Sequence, residues 1–95
     1  MKEQIKRLQE YVWARHVDRS QKYDHSVDEE EAIRLLDQHY SQIANRNSPD
    51  QVYLAVLLFE RAFDHPDEQD GLFHRAAKIF EFYRRVTGDR AYDEL

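Results

Sequence analysis

The sequence predicts an all-α chain: a compact four-helix bundle built from two antiparallel helical hairpins, with a short helical turn at the C-terminus as an optional addition. Two observations carry this prediction. Apolar residues recur three and four positions apart in four separate stretches, and period-two alternation never persists for more than a few residues. The chain also holds only 2 Gly and 2 Pro, too few for the many tight turns of a sandwich or barrel.

The first helix is expected over about residues 2–22. Ile5, Leu8, Val12 and His16 fall on one stripe, and Trp13 and Val17 extend it on one side. The second begins at Ser26-Val27-Asp28-Glu29, which matches a capping box, and the acidic run after it suits the positive end of the helix dipole. Its apolar face holds Ala32, Ile33, Leu36, Tyr40, Ile43 and Ala44. The third starts at Ser48-Pro49-Asp50-Gln51, with serine as cap and proline at the first helical position. Over residues 52–63 only Glu60 and Arg61 are charged, so this helix is expected to be buried on nearly all sides. A break at His65-Pro66 follows, because a residue before proline is pushed out of the helical region. The fourth helix spans about residues 67–87, with Leu72, Phe73, Ala76, Ile79, Phe80, Tyr83 and Val86 on one face and Gly88 as its stop. Beyond it, Tyr92 and Leu95 are positioned to pack a last turn back.

The 95 residues form a single domain, 1–95, and its 13% aromatic content is enough to build a core. With no cysteine, disulfides and thiolate chemistry are excluded. The net charge of −5 argues against nucleic acid and against an anionic membrane surface as partners, since both need a basic footprint. The N-terminus has no apolar leader, and the longest apolar run is residues 52–59, far short of the roughly 20 needed to span a bilayer. The expected location is the cytoplasm.

Histidine 16 stands in the middle of an apolar stripe, where it is either a general base, ligand or pH sensor, or a buried group hydrogen-bonded to a neighbour; the second is the commoner role. Glu60, on the buried helix, is expected to meet an arginine such as Arg15 or Arg19. Together with Asp64, one turn later, it also offers a paired-carboxylate site. Neither a His-Glu-x-x-His nor a Glu-x-x-His spacing occurs, so no metal and no cofactor is expected. The run Glu29, Glu30, Glu31 followed by Glu60 and Asp64 is similar to the acidic pairs of all-helical nucleotide pyrophosphohydrolases. Those acids are spaced Glu-x-x-Glu and Glu-x-x-Asp, which this chain does not reproduce, and their activity is not carried over. A tetratricopeptide pattern is absent as well, since its period does not recur.

The bases of the first helix, Lys2, Lys6 and Arg7, lie at a helix start, where the dipole rule does not explain them. The aromatic supply exceeds what one narrow seam covers: Phe73 and Phe82 lie on opposite flanks of the fourth helix, and Tyr11 points away from Ile5. These three are the expected interaction residues of a small regulatory or adaptor domain that docks on a protein partner or on itself as a homodimer. The alternative is a small helical hydrolase using His16, Glu60 and Asp64, for which metal dependence is an option.

Overall fold

The computed structural model describes residues 2–90, so Tyr92, Leu95 and the expected C-terminal turn lie outside the described residues. Among the described residues, four α-helices form a bundle: α1 (Lys2–Val12), α2 (Glu29–Ser41), α3 (Val52–Asp64) and α4 (Gln69–Thr87). Helix α3 is the hub, packing against α1, α2 and, most extensively, α4. Val52, Leu54, Ala55, Val56, Leu57, Leu58 and Ala62 are all buried on it, as expected from its nearly unbroken apolar run. Ile5, Leu8 and Val12 of α1 and Ala32, Leu36 and Tyr40 of α2 complete the core. Helix α4 contributes one fully buried residue, Ala76, and packs Leu72, Ile79, Phe80 and Tyr83 half-buried against it. Among the described residues, no helix is long and apolar enough to cross a membrane.

Four boundaries differ from the sequence reading. After Val12 the first helix widens into a π-helical segment, Trp13–Val17, closed by the Asp18 amide donating to the Trp13 carbonyl at 2.8 Å. It then stops. The Asp18 carboxylate accepts from Ser20 and Gln21, a local turn that competes with further helix.

The cap of α2 is Asp28, which accepts from the Glu30 amide, and not Ser26. Ser26 instead donates its hydroxyl and amide to Asp24, so the expected capping box does not form. Helix α2 also ends at Ser41, leaving Ile43 81% exposed. Ahead of α3, Pro49–Gln51 forms a single 3-10 turn with proline at its start, while the Ser48 hydroxyl bonds the Asp50 carboxylate and caps no amide. Gly88 does end α4, at φ 74°.

Candidate functional site

Two constellations stand out, and α3 contributes to both. The first is a polar network around His16. The π segment delivers Arg15 and His16 from the end of α1, the first turn of α2 supplies Glu29, and α3 supplies Glu60. One oxygen of Glu29 meets three groups: it hydrogen-bonds the Tyr11 hydroxyl at 2.6 Å and His16 Nε2 at 2.8 Å, and pairs with the Arg15 guanidinium charge at 3.0 Å. Arg15 also donates to the Tyr11 hydroxyl at 2.6 Å and lies over the Tyr23 ring. A carboxylate only accepts, so the hydrogen sits on His16 Nε2. His16 Nδ1 then faces Glu60 across 3.9 Å, beyond direct hydrogen-bond reach, and Arg19 approaches the same Glu60 oxygen at 3.9 Å.

Electrostatics follow from this packing. Burial raises Tyr11, and its hydrogen bond to Glu29 adds to the rise, pushing the phenol up to about 12. Burial opposes charge on Glu29, but the hydrogen bonds from His16 and Tyr11 outweigh it and hold the carboxyl below its ordinary range. The network is therefore a charged carboxylate held by two hydrogen bonds and one ion pair. His16 is 9% exposed and anchored through Nε2 to Glu29, while Nδ1 faces Glu60 without a direct hydrogen bond, which is the arrangement of a histidine that ties α1 to α2.

The structure brings His16 and Glu60 together and confirms Arg19 as the arginine beside Glu60. Asp64 is exposed at the end of α3, outside the contacts of His16. Among the described residues, one group of three side chains converges closely enough to hold a cation: His65, Asp67 and Glu68, in the turn between α3 and α4. It is solvent-exposed in two of its three members, and Glu68 already meets Arg61 and His65. Helix-spacing rules miss it because its members lie on a turn.

The second constellation is aromatic. Phe59, Phe63 and Phe73 form a three-ring cluster across α3 and α4, with centroids 5.1, 5.4 and 5.5 Å apart. Phe59 also contacts Phe80 at 6.4 Å and so ties the cluster to the core. Phe63 remains 58% exposed. The cluster lies beside exposed carboxylates: Asp64 follows Phe63, and Asp70 precedes Phe73 by three residues, about one helical turn, on α4.

Of the three residues expected to sit outside the core, Phe73 does so, in this cluster. Phe82 is half-buried and, among the described residues, stacks on no other ring. Tyr11 is corrected: it is 3% exposed. Tyr23 covers its ring edge-on at 5.9 Å, and the start of α2 covers its hydroxyl. The loop between α1 and α2 thus seals a side of α1 that helical periodicity leaves open. Sequence reasoning also missed Phe63 and the hub role of Glu29. The four-residue spacing of Phe59 and Phe63 was the available signal for the first. Glu29 was hidden in an acidic run whose members have different partners, with Glu30 bonding Arg61 and Glu31 bonding Arg34.

Comparison with known proteins finds no family model that matches this chain, no similar curated protein and no similar solved structure.

Proposed function

We propose that this chain is a cytoplasmic protein–protein interaction domain of the regulatory or adaptor kind, docking through the Phe59–Phe63–Phe73 face. The observation that carries this reading is Phe63: a phenylalanine 58% exposed at the solvent edge of a preformed ring cluster. Such a ring costs solvation in the free protein and is the type of side chain that anchors interfaces. Half-buried neighbours hold it in place, so little side-chain freedom is lost on docking.

The rim selects the partner. Asp64, Asp67 and Asp70 are exposed, and among the described residues none of them forms an ion pair with a lysine or arginine. A segment with an apolar anchor and lysines or arginines beside it complements both parts.

The test has two measurements. Sedimentation equilibrium across a range of concentrations reads self-association. Amide NMR, with a designed amphipathic leucine–lysine helix as probe, reads docking. The reading expects a monomer whose α3 and α4 resonances shift with the peptide, and loss of those shifts in Phe63→Ser. Absent shifts, or shifts that Phe63→Ser leaves intact, overturn it. A dimer that Phe63→Ser dissociates reassigns the same face to a second copy of the chain.

A further inference from the structure

His16 lies where the π segment, α2 and α3 meet, and its two nitrogens face two different helices. Nε2 donates to Glu29 in the first turn of α2, at 2.8 Å. Nδ1 faces a Glu60 oxygen on α3 across 3.9 Å. In this neutral ring Nδ1 carries a lone pair, and a carboxylate oxygen carries only lone pairs. Two acceptors therefore face each other with no hydrogen between them. A charge-assisted hydrogen bond spans about 2.7–2.9 Å, so the gap is about 1 Å too wide for one.

The groups around the ring are engaged elsewhere. On its own helix, Tyr11 meets His16 edge-on at 6.4 Å, and the Tyr11 hydroxyl donates to Glu29. Arg15 pairs with that same Glu29 oxygen and donates to the Tyr11 hydroxyl. From the loop, Tyr23 meets Tyr11 edge-on and lies under the Arg15 guanidinium. Arg19 approaches Glu60 at 3.9 Å, with its side chain 71% exposed. A charge that exposed is screened by solvent and holds its partner weakly. Among the described residues, Glu60 accepts no hydrogen bond. It is the one carboxylate of the network without a close donor. The backbone agrees with a special role here, because π-helical widenings such as Trp13–Val17 are frequent at functional sites.

We infer that His16 is a proton-operated latch: a second proton, on Nδ1, joins it to Glu60 and ties α1 to α3 as well as to α2. The neutral imidazole bonds one helix. In the imidazolium both nitrogens donate, and each already has a carboxylate facing it. Rotation of the partly exposed Glu60 side chain is enough to close a gap of about 1 Å. The new bond exists only in the protonated form. Its stabilisation is therefore present in acid and lost as rising pH removes the second proton. That sign is opposite to the contribution of Glu29, and histidines as a class titrate nearer neutrality than carboxylates, so the two effects are separable. The latch stands apart from the phenylalanine face and does not depend on the docking proposal.

The whole chain, with nitrogen-15 in its histidine rings, is followed by NMR between about pH 8 and about pH 5, where free carboxylates stay charged. As the His16 ring passes from one protonated nitrogen to two, a slowly exchanging Nδ1–H resonance is expected to emerge. The α3 amides flanking Glu60 should shift in step with it. Glu60→Gln removes the charge and keeps the size, and its amide can donate to the bare Nδ1. His16 should then need about tenfold more acid to take its second proton, a difference of about one pH unit. His39 and His74, on α2 and α4, are the internal references and should titrate alike in parent and variant. Urea unfolding midpoints of the parent should rise relative to Glu60→Gln as pH falls across the same range.

Glu60→Ala, which has neither charge nor donor, guards against an effect peculiar to the amide. It should also require more acid, and its Nδ1–H should be lost to exchange with water. Equal acidity of His16 in the parent and both variants overturns the inference. So does protonation that frees the ring from Glu29, or an Nδ1–H that survives in Glu60→Ala.

Discussion

The two helical hairpins are held together by different chemistry. In the first, α1 and α2 are joined by directional polar contacts: Tyr11, Arg15 and His16 on Glu29, Arg7 on Asp24, and the Gln9 amide on the Tyr40 hydroxyl at 2.8 Å. In the second, α3 and α4 are joined by apolar surface and by a phenylalanine cluster that extends past the core into solvent. Hydrogen bonds have preferred distances and angles, so the first hairpin has one geometry and few spare groups. Ring contacts tolerate several geometries and saturate only when every face is covered. The second hairpin therefore keeps uncovered area, which is where an interaction surface can exist without disturbing the fold.

Substitutions can break or sharpen this contrast. The largest effect is expected where the two hairpins share a residue. Leu57, fully buried on α3, should lose about 2–5 kcal/mol as Leu57→Ala, read by urea unfolding. A loss under about 1 kcal/mol would mean that α3 is not the common core.

Next is Glu29→Gln, which replaces a carboxylate held by two hydrogen bonds and an ion pair and should cost about 2 kcal/mol at neutral pH. The sign of its pH dependence follows from its lowered folded-state pKa. Its contribution is present above the unfolded value of about 4.3 and is lost as pH falls through the lower, folded value. Unfolding midpoints of Glu29→Gln and the parent should accordingly converge in acid. Parallel pH profiles would show that Glu29 is not the hub of the first hairpin.

A smaller effect is expected for Tyr11→Phe, about 1 kcal/mol at neutral pH, through loss of the hydroxyl shared with Glu29 and Arg15. Here the folded pKa is raised to about 12. The stabilisation from keeping the phenol neutral is complete below the unfolded value of about 10 and disappears as pH rises toward 12. Tyrosinate absorbance should show one fewer late-titrating group in the variant.

The smallest effect belongs to the aromatic face. Phe63→Ser should change stability by no more than about 0.5 kcal/mol, because the ring is mostly in solvent. A large loss would make Phe63 a structural residue and remove the contrast between the hairpins.

Much of this fold is legible one segment at a time. The burial of α3 follows from its unbroken apolar run, the end of α4 from Gly88, and the start of the 3-10 turn from Pro49. These are properties of composition and local backbone preference, which neighbours in space do not alter. Capping was less legible, because Ser26 and Asp28 both offer a cap. Asp24 takes the serine, and only the path of the loop decides that competition. The candidate sites show the same division. The sequence marks His16 and Glu60 as polar groups on apolar faces. Which carboxylate His16 meets, the π widening that carries it, and the burial of Tyr11 beneath Tyr23 were decided by the tertiary structure alone. The physical reason is range. Periodicity and caps act within a turn or two of helix, whereas Tyr11 and Glu29 are 18 residues apart and meet only when the loop between α1 and α2 has closed.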